Sequence, residues 1–171
     1  SVQLYARCPL NEIKRIWLDF HSRTSVNLAR VLAKEVWHIN PEWLPASAGF
    51  ESGINGTDAA IIIGDRTFAL NGNYETEIDL AEAWIGHTGL PFVFAAWVTR
   101  NNYSEKFLTT FDSALGYGIK HRDVCLESGF TGMDKVAAYD YLRNAISYEL
   151  DTAKQKGLQL FLEKIALYDL K

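Results

Sequence analysis

Hydrophobic positions in this chain change period as it runs, and the changes divide it into elements. Ser1–Tyr5 reads as a short strand closed by the Cys8-Pro9 turn, Leu10–Ile13 as at most one helical turn, and Arg15–Phe20 as a buried strand. A polar loop, His21–Ser25, follows, and then Val26, Leu28, Ala29, Val31, Leu32 and Val36 recur at helical spacing. Strand, polar loop and amphipathic helix make the opening of a β-α-β unit. Ser22 and Thr24 are both candidate N-caps, and Asn40-Pro41 is expected to end the helix. Trp43–Ala46 can form a second short strand, and Ala59–Ile63 is the clearest buried strand in the chain. Beyond Gly64-Asp65-Arg66, a short helix over Thr67–Leu70, weak pairing at Ile78–Leu80 and a helical turn over Ala81–Ile85 with Trp84 inward are predicted.

Phe92–Val98 is an unbroken apolar run entered through Gly89 and Pro91, the pattern of a strand covered on both faces. After it only helices are predicted, over Glu105–Lys120, Lys135–Ile146 and Thr152–Tyr168. A switch from alternating strands and helices to helices alone suggests that this run carries the chain between two compact units. Clefts beside such hinges are where ligands sit.

Composition narrows the function classes. The 171 residues are 48% hydrophobic and 22% charged, ordinary for a soluble globular chain with a sizeable core. A net charge of -4 gives no reason to expect nucleic acid or an anionic membrane as partner. No apolar run approaches the roughly 20 residues of a membrane-spanning helix, and neither end resembles a signal peptide. The chain opens in mid-strand without a start methionine, which leads us to expect a preceding segment. Cys8 and Cys125 are expected as reduced thiols, and the absence of a C-x-x-C pair or His-rich spacing argues against a zinc or redox site.

Ser22-Arg23-Thr24-Ser25 is the strongest chemical signal. At a strand-to-helix turn the free backbone amides and the macrodipole favour an anion. Three hydroxyls and one guanidinium add donors suited to a carboxylate or phosphate. The plain alternative is that Ser22 or Thr24 only caps the helix. Asp65 follows a buried strand, where open α/β sheets put ligand contacts, but it can equally cap the next helix or pair with Arg66 or Arg23. In His87-Thr88-Gly89, the Thr88 hydroxyl and Gly89 amide are better ligand candidates than the lone histidine, because glycine admits close backbone approach. Ser1 begins the other crossing strand and can reach the same cleft; His38 and His121 have no recognisable partner. No G-x-G-x-x-G or Walker loop supports a nucleotide, and no G-x-S-x-G elbow or Cys-His pair supports covalent hydrolysis. Spacing alone ends at an anion-binding α/β domain with a hinge.

Ser1-Val2 before an apolar strand, Asp19-x-x-Ser22-Arg23-Thr24-Ser25-Val26, Ile63-Gly64-Asp65, and Asp79-Leu80-x-x-x-Trp84 with Thr88-Gly89-Leu90-Pro91-Phe92-Val93-Phe94-Ala95-Ala96-Trp97 together resemble the menaquinone-biosynthesis family that contains chorismate dehydratase. The resemblance spans the whole chain. It implies a two-lobed α/β fold like type II periplasmic binding proteins, with residues 5–90 a complete lobe, 1–4 and 91–98 hinge crossings, and 99–171 the helical part of the other lobe. It implies a cytoplasmic carbon–oxygen lyase of the futalosine route to menaquinone. Such an enzyme takes chorismate to 3-[(1-carboxyvinyl)oxy]benzoate without cofactor or metal.

In this scheme Arg23, Thr24 and Ser25 bind a carboxylate, Ser22 caps or donates, and Ser1, Thr88 and the Gly89 amide line the cleft, with Asp65 beside them. No residue is identified as the base, which is expected either on the preceding segment or in the substrate's own carboxylate. The family normally has a further N-terminal segment supplying most of the other lobe's sheet. Without it the C-terminal helices would expose apolar faces, so the chain alone is expected to be inactive or to depend on association, a homo-oligomer included. Three rivals share the fold: the sister 1,4-dihydroxy-6-naphthoate synthase, a non-catalytic solute-binding protein, which would carry a signal peptide, and a regulator's effector domain, which would carry a DNA-binding module. Ser-Arg-Thr-Ser together with Gly-Leu-Pro-Phe favours the dehydratase over the synthase.

Overall fold

A computed structural model describes residues 2–19, 21–127 and 134–170, apart from the side chain of Cys125. Ser1 and Phe20 lie outside the described residues, so the expected cleft role of Ser1 has no structural counterpart here. The chain divides into two compact units, Ser1–Ala96 with Asp151–Lys171, and Trp97–Leu150. The last helix groups with the first unit.

Five strands form one mixed sheet in the first unit: β1 (Val2–Ala6), β2 (Arg15–Leu18), β3 (Glu42–Pro45), β4 (Asp58–Ile63) and β5 (Thr76–Asp79), in the order β3-β2-β4-β1-β5. β2 runs parallel to β3 and β4, while β1 runs antiparallel to β4 and β5. The carboxyl ends of β2, β3, β4 and β5 therefore share one edge with the start of β1, where Val2 faces Ile63.

Strand alternation sorts the apolar side chains onto two faces. Leu4, Ile16 and Ile61 are buried with Leu28, Ala29, Val31 and Leu32 of α1 (Arg23–Leu32) and with Leu80 and Trp84 of α3 (Leu80–Thr88). Tyr5, Ala60 and Ile62 face the other way and pack with Phe50 and Ile54; the short α2 (Arg66–Leu70) adds partly buried Leu70 to that layer. The Tyr5 phenol donates to the Thr67 carbonyl at 3.1 Å and also contacts Asn71. Burial, with Glu77, Tyr74 and Asp79 nearby, pushes the Tyr5 phenol up to about 12, so it remains a donor at any ordinary pH.

Phe92–Val98 is not a strand. Residues 91–94 are half-buried and 95–98 exposed, and the sheet edges are β3 and β5. An apolar run supplies no ladder partner by itself, and here only its first half finds cover. Phe92 instead packs edge-on against Trp84 and Phe161, at ring distances of 5.4 and 4.8 Å.

Phe161 comes from the last helix, α7 (Thr152–Leu167), which lies against α1 and is capped by the Asp151 carboxylate on the Lys154 amide. Gly157 of α7 is buried against the Pro91 carbonyl, where an added Cβ would fall 2.1 Å from the oxygen. Glu35, in the widened π-type turn Ala33–Trp37 after α1, accepts from Lys164 Nζ at 2.6 Å, His87 Nε2 at 2.9 Å and Tyr168 Oη at 2.5 Å. Burial alone would raise the Glu35 carboxyl; the three donors outweigh it and hold the group below the usual carboxylate range. A depressed carboxyl stabilises the fold above its unfolded pKa, and that contribution disappears as pH falls through the folded value. Amide exchange in α7 is therefore expected to accelerate selectively below about pH 4, near the carboxylate reference value, beyond the intrinsic effect of pH. Protection of α7 that tracks the sheet down to pH 3 would contradict this role.

In the second unit, α4 (Glu105–Lys120) matches the predicted helix and is capped by Ser104 on the Phe107 amide. α5 (Arg122–Glu127) and α6 (Lys135–Asp140) follow, the latter continued by a π-type turn at Tyr141–Ala145. Arg143 pairs with Asp123, and Leu126 and Ala138 are buried. Phe107, Leu108 and Phe111 of α4 remain 37–47% exposed, an apolar stripe with little covering it. Among the described residues no helix is long and apolar enough to cross a membrane.

Candidate functional site

The shared carboxyl edge of the sheet gathers the polar side chains, as expected for parallel strands in an open sheet. Asp19 follows β2, Glu51 lies in the turn Phe50–Gly53 after β3, and Arg66 opens α2 after β4. Arg66 divides its guanidinium between Asp19 and Glu51. The Asp19 side chain is fully buried, and it also accepts from the His21 backbone amide at 3.0 Å and faces His21 Nδ1 at 2.9 Å. Charges from three loops thus fix the turn leading into α1.

Ser22 is the N-cap of α1. Its Oγ accepts the Ser25 amide at 3.1 Å and lies 2.9 Å from Ser25 Oγ, which is buried. These two hydroxyls shape the helix start. Arg23 is exposed and Thr24 half-buried, and neither side chain has a hydrogen-bond or ionic partner among the described residues. Thr24 lies inside the helix, so the cap falls to Ser22 alone. With first-turn amides pointing outward and a free guanidinium beside them, this end of α1 can receive an anion.

A cavity of about 300 Å³ opens here, lined by Asp19, Ser22, Arg23, Asn27, Arg30 and Trp43 among others. Asn27 is 8% exposed and its Oδ1 has no hydrogen-bond partner. A buried unpaired amide oxygen is costly unless something donates to it. Its signal in the sequence is a polar residue at a core position of the α1 pattern, four residues after Arg23. Asp19, Glu51 and Arg66 have no comparable signal, because their meeting depends on three loops distant in sequence.

The other expected residues divide. Asp65 is exposed on this edge, follows Gly64 at φ 71, and neither caps α2 with its side chain nor pairs with Arg66 or Arg23. Thr88 and Gly89 are not brought to the cradle. α3 starts at the carboxyl edge beside Asp79 and runs away from it, and His87 bonds Glu35 beyond the far end of α1. Thr88 and Gly89 are thus about 18 Å down α1 from Arg23, at 1.5 Å per residue. The Thr88 hydroxyl donates to the Trp84 carbonyl at 2.8 Å, and Gly89, at φ 69, is the left-handed C-cap of α3. His38 ends the turn after α1 at φ 53, and His121 stacks on Tyr117 at 3.9 Å. Among the described residues no three His, Cys, Asp or Glu side chains gather as metal ligands.

A family model described as menaquinone biosynthesis matches residues 1–167. The chorismate dehydratase of Thermus thermophilus is 29% identical over 188 residues, covering 98% of this chain and 68% of that protein.

Proposed function

We propose that this chain, which belongs to the menaquinone biosynthesis family, is a chorismate dehydratase whose substrate carboxylate binds at the start of α1. The observation that carries the reading is the unpaired Arg23 beside the Ser22-capped helix start, within a match to the family over nearly the whole chain. The name of the Thermus relative supports the substrate.

Chorismate carries two carboxylates, a ring hydroxyl and an enol ether. The reaction breaks a ring C–H bond and the neighbouring C–OH bond. The C–H electron pair becomes the π bond that completes the aromatic ring, and the proton and hydroxide leave as water. Formation of the arene drives the step, and the residues need only orient the ring, take the proton and assist the departing hydroxide. Arg23 holds a carboxylate through its two-pronged guanidinium, Thr24 adds a hydroxyl, and Ser22 with Ser25 keeps the helix start in position. Asn27 can accept from the substrate hydroxyl. His21, oriented by the buried Asp19, is a titratable group beside the cradle that can pass a proton to the leaving oxygen. We extend the reading to the two-lobed fold of type II periplasmic binding proteins, in which closure excludes water, and to action in the cytoplasm.

Calorimetric binding of chorismate to the intact protein tests the cradle. A charged hydrogen-bonded contact contributes roughly 1.5–3 kcal/mol. Arg23→Gln is therefore expected to weaken binding by about 10- to 100-fold with unchanged circular dichroism. Equal affinity in the variant would overturn the assignment.

A further inference from the structure

The first unit carries a second, larger concavity, and the proposed reaction makes no use of it. It lies along the flank of α1 and the turn after it, holds about 550 Å³, and is lined by Arg30, Lys34, His38, Trp43, Tyr168 and Leu170 among others. Three basic residues at positions 30, 34 and 38 face it, and among the described residues no acidic side chain lines it. Among the described residues Arg30, Lys34 and His38 have no acidic partner. That is unusual in a chain with 21 acidic residues against 17 lysines and arginines. Glu35, next to Lys34 in sequence, is already held by Lys164, His87 and Tyr168.

Two of the three basic residues, Arg30 and Lys34, rest on aromatic faces instead. Lys34 Nζ is 3.9 Å from the centroid of the Tyr168 ring, and the Arg30 guanidinium carbon is 5.8 Å from that of Trp43. Arg30 Nε is buried without a partner. Cations packed on rings lose part of their water and keep donors for an incoming anion, while the rings and Leu170 offer apolar surface. The volume is in the range of small-molecule sites.

We propose that this cavity is a second anion site, which takes a small aromatic carboxylate: the charge goes to Arg30 and Lys34, and the ring to Trp43 and Tyr168. The site does not depend on the proposed reaction. It adjoins the smaller cavity, sharing Arg30 and Trp43, so the two line one flank of α1.

The test uses the intact protein at low salt, titrated separately with benzoate, cyclohexanecarboxylate and inorganic phosphate and followed by calorimetry. Benzoate is expected to bind at submillimolar concentration, at least fivefold tighter than either other probe. Lys34→Gln should weaken benzoate at least fivefold, while Arg23→Gln leaves it bound. The Lys34 side chain is exposed, so folding is not at risk. Three results would overturn the proposal: benzoate failing to bind below 10 mM (about -2.7 kcal/mol by the affinity relation), benzoate lost in Arg23→Gln but kept in Lys34→Gln, or phosphate binding as tightly as benzoate.

Discussion

Gly157→Ala is expected to destabilise the first unit by up to about 2 kcal/mol, although alanine is the better helix former. Within an isolated helix the change would favour folding by roughly 1 kcal/mol. In α7 the new Cβ would lie 2.1 Å from the Pro91 carbonyl oxygen, where both neighbours are backbone and neither can turn aside. Overpacking of this kind costs about 1–3 kcal/mol, occasionally more, and here it would lift α7 from the 90–94 segment. Phe161, buried against Trp84 and Phe92, would lose its place with it. Thermal unfolding should shift down by several degrees, at about 2–4 °C per kcal/mol for this size, with α7 amides losing protection first. A raised midpoint would mean that α7 is not docked through Gly157.

Asp19→Asn should have the other large effect. The substitution keeps shape but removes the charge that meets Arg66 and turns an amide donor toward a guanidinium that cannot accept. Removing one partner of a buried ion pair costs about 3–5 kcal/mol. Arg66 is 36% exposed and keeps Glu51, so roughly 2–3 kcal/mol is the better expectation. Because Asp19 also fixes His21, the variant should lose turnover more than substrate affinity at temperatures where it is folded. An unchanged kcat with a lowered melting point would restrict Asp19 to stability. Glu51→Gln, which leaves the Asp19–His21 contact intact, serves as the control.

Much of this was legible in the chain because it rests on local rules. The apolar run Ala59–Ile63 marks a buried strand and helical spacing from Val26 to Leu32 sets α1, so these elements were readable from pattern, while the order and direction of the strands were not. A cap at Ser22 or Thr24 was equally readable, since short polar side chains reach the third amide, but the choice of Ser22 was left to the structure. Phe92–Val98 shows where period fails: the apolar run is half-buried only as far as Phe94 and exposed beyond it, and whether such a run becomes a strand depends on a ladder partner next to it. Thr88 and Gly89 show the same for sites, because order along the chain says nothing of which sheet edge a helix ends on. Asp19 and Arg66 are 47 residues apart and meet only once the parallel order β2-β4 exists. Asn27 was open to reading as a polar break in an apolar stripe.

The most direct measurement incubates the intact protein with chorismate and follows product mass and ring proton spectra. The account predicts conversion to a species lighter by one water, with aromatic signals of a 3-substituted benzoate and the enol ether retained. Chorismate recovered unchanged from folded protein that binds it would contradict the account and leave a binding protein in its place.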